Sequence, residues 1–188
     1  MKNKMMKKFI ITLVLIFSVF TMQAQEKVNW VGFNEALKLN KLTPKPILVD
    51  IYTDWCGPCK QMEKLVYGNE VIAAYINKHY YAVKLDGEGK ESVTYRGKNF
   101  TYDTYEDNNG RTLTYNQFAG AILNTGEKLG GKSVYPTTAF FDTNEELFQI
   151  VPGYVSEKRL EKILAYFKDG DYEDKSWDEF EKTFKSEL

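Results

Sequence analysis

The chain has 188 residues, of which 43% are hydrophobic and 27% are charged, and its formal net charge is −1 at pH 7. This length and hydrophobic content suit one folded domain and argue against intrinsic disorder. The charge gives no support to nucleic-acid or anionic-membrane binding, and two cysteines are too few for a disulfide scaffold.

Residues 1–24 have the pattern of an export signal rather than of a folded segment. Four lysines precede an apolar run of about a dozen residues, which is too short to span a bilayer comfortably, and Met22-Gln23-Ala24 fits a cleavage site. We therefore predict a signal peptide at 1–24 and a single domain at 25–188, with a formal charge of −5 after cleavage. An uncleaved membrane anchor is the alternative. Export would place the two cysteines in an oxidising compartment.

Hydrophobic periodicity predicts alternating helices and strands in the first half of the domain. Trp30, Phe33 and Ala36 recur at helical spacing, and β-branched apolar runs indicate two buried strands. The predicted elements are a helix from Trp30 to before Pro44, a strand at 47–53, a helix after Cys56, a second helical segment at 70–77 capped by Asn69, and a strand at 80–86.

The second half begins with a stretch, 87–134, that loses periodicity and gains turn residues. The predicted elements from there on are a hairpin with strands at 92–95 and 99–102, a helix at 114–123, a loop at 126–131, antiparallel strands at 138–141 and 147–151, a helix capped by Ser156, and a terminal helix at 176–186. We interpret the tyrosines of the insertion as core rather than as a ligand cage; they are Tyr95, Tyr102, Tyr105 and Tyr115.

These elements predict an α/β fold with a mixed sheet and helices on both faces. The first two strands flank a helical crossover, so we expect them to be parallel.

The run Trp55-Cys56-Gly57-Pro58-Cys59 holds the only two cysteines, at a predicted strand-to-helix junction. The helix dipole favours a thiolate at Cys56, and Cys59 lies on the same helical face, close enough for a disulfide. A purely structural bridge is the alternative, but a loop of a few residues removes little entropy from the unfolded chain. Zinc would need four ligands, and His79 is the only other soft one. We therefore predict a redox dithiol and no metal site.

The segment 49–60 resembles the active-site segment of thioredoxins, including the Gly-Pro dipeptide between the cysteines. Asp50 matches the buried aspartate of that family, Lys84 the lysine that faces it, and Tyr135-Pro136-Thr137 the loop with a cis-proline. The segment 45–71 is also similar to the C-terminal domain of periplasmic transmembrane thiol reductases. The resemblance spans about 30–168 and is interrupted by the insertion at 87–134.

This resemblance implies a thioredoxin-like fold and thiol–disulfide exchange without a cofactor. Cys56 is expected to be the exposed attacking residue and Cys59 the buried resolving one. Burial should raise the pKa of Asp50, which would relay the proton of Cys59; a salt bridge with Lys84 is the alternative role, and both can hold because pairing would also change this pKa. The expected substrate-contacting residues are Trp55, Gly57, Pro58, Tyr135, Pro136 and Thr137.

The resemblance also implies partners and a direction. We expect disulfide-containing protein substrates, a thiol electron donor and a periplasmic location. The Gly-Pro dipeptide favours a reductase, with an oxidase or isomerase and a non-enzymatic client-binding module as alternatives; the intact cysteine pair argues against the last. The insertion is expected to form an ordered lobe that overhangs Cys56 and restricts its substrates, although it could instead be a surface decoration.

Overall fold

The computed structural model describes residues 26–128, 134–168, 170–186 and 188, so the predicted signal peptide at 1–24 lies outside the described residues. A five-stranded mixed sheet forms the centre of the described part; its strands are β1 (Trp30–Val31), β2 (Ile47–Tyr52), β3 (Tyr81–Asp86), β8 (Thr137–Phe141) and β9 (Leu147–Pro152). Their spatial order is β1-β3-β2-β8-β9.

The middle strand, β2, sets the register of the sheet. It runs parallel to β3, with Asp50 opposite Lys84, and antiparallel to β8, with Asp50 opposite Thr138. Five of its six residues are buried, because helices cover both faces of the sheet, which explains its nearly continuous apolar sequence. The predicted mixed sheet and the parallel pairing of the first two long strands are confirmed.

Helices cover the two faces of the sheet over two separate hydrophobic cores. The described helices are α1 (Phe33–Leu42), α2 (Gly57–Met62), α3 (Glu70–His79), α4 (Gln117–Lys128), α5 (Glu157–Lys168), α6 (Asp171–Asp174) and α7 (Trp177–Thr183). A π-helix, Glu63–Tyr67, continues α2 before the break at Gly68. The side chains of α2, the π-helix, α3 and α5 share one core with Leu48, and those of α1 and α4 share the other with Val49.

Most predicted elements are confirmed, including the cap of α3, where the Asn69 side chain accepts hydrogen bonds from two backbone N–H groups. The prediction was wrong for Trp30, which lies in β1 and pairs with Ala82 of β3 rather than starting a helix. It was also wrong for 114–116, which belong to a strand, and for 126–128, which extend α4 instead of forming a loop.

The insertion folds into two antiparallel hairpins followed by α4. The predicted hairpin joins β4 (Val93–Tyr95) to β5 (Lys98–Phe100), and a second, unpredicted one joins β6 (Tyr102–Glu106) to β7 (Thr112–Asn116). Tyr95 packs among Phe33, Phe118 and Phe141, as a core residue should. Tyr102 and Tyr105 are 40% and 54% exposed, so their interpretation as core was wrong.

The C-terminal part of the chain packs against α5. A reciprocal capping box between Ser176 and Glu179 begins α7, and Phe180 is the buried residue of this helix.

Within the described ranges, no helix is both long and apolar enough to cross a membrane.

Candidate active site

The two cysteines form a disulfide at the start of α2, with their Cα atoms 5.3 Å apart. Cys56 is the N-cap residue of this helix, and its Sγ accepts a hydrogen bond from the backbone N–H of Cys59 at 3.1 Å. Pro58 lies in the first turn, where its missing N–H leaves no helical hydrogen bond unmade. An N–H directed at Sγ stabilises a thiolate there once the disulfide is reduced.

Exposure does not distinguish the two cysteines. Cys56 is 3% exposed and Cys59 is 6% exposed, so the expectation that Cys56 is the more exposed residue was wrong for this disulfide form. Gly57 and Pro58 between them are exposed, as is Trp55 before them. The distinction between the sulfurs is therefore electrostatic, because Cys56 Sγ is the one that receives the helix N–H group.

Asp50 lies beneath the redox helix on the sheet face that it covers. The residue is 3% exposed, and desolvation raises the pKa of its carboxyl group from 3.8 to about 7. The positive charge of Lys84 lowers this pKa and the negative charge of Glu63 raises it, both less strongly than burial. Among the described residues, Asp50 Oδ1 has no hydrogen-bond partner. The predicted direction of the pKa shift is confirmed.

Lys84 lies beside Asp50 in the sheet but makes its ion pair elsewhere. Its Nζ is 2.6 Å from Glu63 Oε2, and it lies over the rings of Tyr52 and Trp30, 5.0 and 5.5 Å from their centroids. The alternative of a salt bridge between Asp50 and Lys84 is therefore wrong, because the π-helix brings Glu63 to the lysine. Sequence reasoning missed Glu63, although a residue seven positions after Cys56 lies two turns along the same helix face.

We expect Glu63→Gln to lower the pKa of Asp50 by a few tenths of a unit to about one unit, because it removes a nearby negative charge and frees Lys84. Carboxyl ¹³C NMR titration of Asp50 measures this shift directly. Glu35→Gln is the matched control, because it breaks an exposed Glu–Lys pair on α1, across the sheet from Asp50. A pKa that stays fixed or rises in Glu63→Gln would mean that the Glu63–Lys84 pair does not act on Asp50.

The proline loop lies at the same end of β2 as the disulfide. The Tyr135–Pro136 peptide bond is cis, which confirms the prediction, and Thr137 pairs with Ile51 near the end of β2. The carbonyl of Pro136 accepts a hydrogen bond from the N–H of Gly153 at 2.7 Å. Tyr154, the next residue, is 41% exposed. Sequence reasoning missed Gly153 and Tyr154, which only the pairing of β8 with β9 brings to this loop.

The insertion touches the active site through the first residues that follow β3. The indole N–H of Trp55 donates to Glu88 Oε1 at 2.9 Å, and its ring meets that of Tyr135 edge-on at 5.9 Å. Gly87 packs so closely against the Tyr135 hydroxyl that a Cβ atom would overlap it. These contacts place Trp55, Glu88 and Tyr135 in one wall beside the disulfide.

Asn116 holds this wall to the second hairpin. Its buried side chain donates to the carbonyls of Gly89 and Glu91, at 3.1 and 3.0 Å, and accepts from two N–H groups at the start of α4. Its own backbone N–H donates to the carbonyl of Gly87 at 2.9 Å.

Burial raises the pKa of Tyr135 to about 12, and smaller contributions come from Glu88 and from Tyr105 and Tyr115 of the hairpin. Tyr105 and Tyr115 are therefore close to the site.

His79, the remaining soft ligand in the sequence, lies in the last turn of α3, where its ring packs beside that of Tyr75 at 4.6 Å. Within the part of the chain that the structure describes, no three side chains of His, Cys, Asp or Glu come together as a group that could hold a metal ion.

Comparison with known proteins identifies a family to which most of the chain is similar. Residues 33–168 match the family model described as a thioredoxin-like domain. A thioredoxin-like protein of Synechocystis is 39% identical over 44 residues, which cover 23% of this chain and 39% of that protein. A thiol-disulfide oxidoreductase, ResA of Oceanobacillus iheyensis, is 26% identical over 142 residues, which cover 76% of this chain and 65% of that protein. The chain thus spans less than two thirds of the length of either relative.

Among solved structures, a thioredoxin-fold protein from Helicobacter pylori is similar, with a TM-score of 0.48 and 18% identity over 74% of this chain and 79% of that one.

Proposed function

The chain belongs to the thioredoxin-like domain family, and we propose that it is an exported reductase of protein disulfides. The observation that carries this proposal is the cysteine pair itself. Cys56 caps a helix start, with the Cys59 N–H directed at its sulfur, above a buried carboxyl group whose pKa lies near neutrality. Such a pair can exchange electrons, whereas a disulfide kept only for stability needs neither feature.

In the proposed reaction, the Cys56 thiolate attacks one sulfur of a substrate disulfide. A mixed disulfide forms and the substrate's other sulfur leaves as a thiolate, which takes up a proton. Cys59 loses its proton to Asp50 and attacks Cys56 Sγ, which releases the second substrate thiol and closes the Cys56–Cys59 bond. The substrate gains two electrons, and a donor dithiol of a redox partner returns the protein to its reduced form.

The reducing direction is supported by the Gly-Pro dipeptide, which is the pair found between the cysteines of thioredoxins. Family members range from about −270 mV for thioredoxin to about −120 mV for strong oxidants. We expect a potential near the lower end, measured by equilibration with glutathione buffers, and catalysis of insulin reduction by dithiothreitol. A potential near the upper end would favour an oxidase or isomerase. No catalysis at all would leave a client-binding module.

Export is supported by the basic, apolar and small-residue pattern of residues 1–24. Expression of the full chain in a bacterial host, followed by fractionation and N-terminal mass analysis, tests this part of the proposal. We expect a periplasmic product that begins near Gln25. A full-length product in the membrane fraction would support an uncleaved anchor.

We also propose that the second hairpin, β6–β7, restricts which disulfides reach Cys56. In this hairpin, Tyr105 lies opposite Leu113, and Tyr115 lies opposite Asp103, so these four side chains share one face. Tyr105 and Tyr115 contribute to the electrostatic surroundings of Tyr135, which supports placing this face toward the proline loop. Tyr102 lies on the opposite face of the same hairpin.

We therefore expect Tyr105→Ser to slow reduction of a protein disulfide by roughly ten-fold, the effect of losing an aromatic residue that anchors a partner, without slowing that of a small disulfide. The protein substrate is one trapped by Cys59→Ser, and the small one is an aromatic disulfide followed by absorbance. Tyr102→Ser is the matched control, because it removes a partly exposed tyrosine from the other face. If the ratio of the two rates stays the same in Tyr105→Ser, the hairpin selects nothing.

A further inference from the structure

A second set of polar side chains lies beneath the redox helix, on the side of Asp50 away from Lys84. Thr138 of β8 is directly opposite Asp50 in the antiparallel pair and is fully buried. Side chains opposite each other in such a pair lie on one face, with Cβ atoms about 4.5–5.5 Å apart. Thr138 is therefore a neighbour of Asp50 on this face, although its hydroxyl group makes no hydrogen bond to Asp50 Oδ1, which has no partner among the described residues.

Tyr67 reaches this place from the end of the π-helix. Its hydroxyl oxygen is 3.4 Å from Thr138 Oγ1, the residue is 3% exposed, and its ring meets Trp30 edge-on at 5.0 Å. The wider turn of a π-helix changes the direction of the side chains that follow it, and such turns often occur at functional sites. Here the π-helix places Glu63 at its start beside Lys84 and Tyr67 at its end beside Thr138.

Asp50 thus has charged groups on one side and neutral hydroxyl groups on the other. Lys84 of β3 and Glu63 of the π-helix act on its pKa with opposite signs. Tyr52 on its own strand and Tyr67 are the tyrosines whose phenol groups interact with its charge, and the pKa of Tyr67 is well above its usual value, mainly because of burial. Tyr67 is therefore a neutral O–H group at physiological pH, able to donate one hydrogen bond.

We propose that Tyr67 and Thr138 form a two-hydroxyl relay that stabilises the ionised form of Asp50 and so sets the pH range in which Cys59 is activated. Either oxygen of the Tyr67–Thr138 contact can be the donor; in the proposed relay Tyr67 donates to Thr138 Oγ1, and the Thr138 hydroxyl proton turns toward the carboxylate once Asp50 ionises. Hydrogen bonds to an ionised acceptor are roughly twice as strong as neutral ones, so the relay favours the charged state. This inference rests on the proposed reductase function, and Tyr67 is a positioning residue that acts through Asp50.

The expected result is an upward shift of the pKa of Asp50 when either hydroxyl group is removed. Tyr67→Phe keeps the ring that packs on Trp30, and Thr138→Val keeps the shape of the strand residue. Each should raise the pKa by about half a unit to one unit, or a roughly three- to ten-fold change in the protonation equilibrium. The double variant should shift it no further than the larger single change, because both remove the same relay.

The experiment is a carboxyl ¹³C NMR titration of Asp50 in the oxidised protein, together with the pH dependence of insulin reduction. Tyr80→Phe is the matched control, because Tyr80 is equally buried but its hydroxyl group donates to the Leu164 carbonyl. Thr138→Ser, which keeps a hydroxyl group, should leave the pKa within about 0.2 units of the original.

Additive shifts in the double variant, or unchanged titration in Tyr67→Phe and Thr138→Val, would overturn the relay. The NMR titration needs no catalysis, so it tests the relay even if the protein does not reduce disulfides. If the unaltered protein does not catalyse insulin reduction, the proposed function is overturned instead.

Discussion

Replacing Cys56 with serine is expected to abolish disulfide reduction, whereas replacing Cys59 with serine is expected to trap substrates as mixed disulfides. A serine hydroxyl at position 56 is not ionised near neutral pH and cannot attack a disulfide, so the rate should fall by on the order of a thousand-fold or more. With Cys59 replaced, the first attack still occurs, but no thiol remains to resolve the mixed disulfide.

The reason for this order is the contact at the helix start. The Cys59 N–H group, which stays in place in Cys59→Ser, directs its hydrogen bond at Cys56 Sγ and stabilises the attacking thiolate. Non-reducing electrophoresis with mass spectrometry of both variants, beside the unaltered protein, measures the trapped adducts. Trapping by Cys56→Ser in place of Cys59→Ser would mean that the two cysteines have the opposite roles, and equal trapping would mean that either can attack; the burial of both in the disulfide form makes this test necessary.

The parts of the fold that sequence could predict are those whose signals are local. The apolar run of β2, the side-chain cap at Asn69 and the short turn between β8 and β9 each carry their pattern within a few residues. Trp30 was misassigned because β1 has only two residues, and its structure depends on pairing with β3, some fifty positions later. Helical spacing of apolar residues cannot reveal such a distant partner.

The active site follows the same division. Cys56, Cys59 and Pro136 could be predicted from short motifs, and Asp50 from its place as a lone carboxylate in a buried strand. Glu63 was missed although its spacing from Cys56 places it on the same helix face, whereas Tyr67 could not be placed, because its position depends on a π-helix whose wider turn leaves no clear periodic signal. Asn116 was misread as part of a helix, since a strand that ends in an N-cap residue gives a mixed pattern.

A second large effect is expected for Asp50→Asn, which should stabilise the oxidised protein above neutral pH while slowing its turnover. Burial raises the pKa of Asp50 from 3.8 to about 7, so the folded protein holds a proton between these values that the unfolded chain has released. Stability therefore falls as the pH rises through this window and stays low above it. A difference of about three units corresponds to about 4 kcal/mol at most, from 1.36 kcal/mol per unit.

Asparagine carries no charge at any pH, so the stability of the variant should no longer fall as the pH rises through this window. We expect its free energy of unfolding at pH 8 to exceed that of the original by roughly 2–4 kcal/mol, and the difference to shrink as the pH falls toward 4. Urea denaturation at several pH values measures it, with the exposed Asp54→Asn as the control. In the reduced protein, the same substitution should slow insulin reduction most near pH 7, because Cys59 loses its proton acceptor.

The two measurements separate a catalytic Asp50 from a structural one. A buried carboxylate of raised pKa is unfavourable for stability, so a residue kept only for packing would give a variant that is more stable and equally active. A variant that is more stable and slower, with a flattened pH–rate profile, is the result expected if the carboxyl group is retained for proton transfer. If the difference in free energy of unfolding between the two proteins stays constant from pH 4 to pH 8, Asp50 does not titrate in this range.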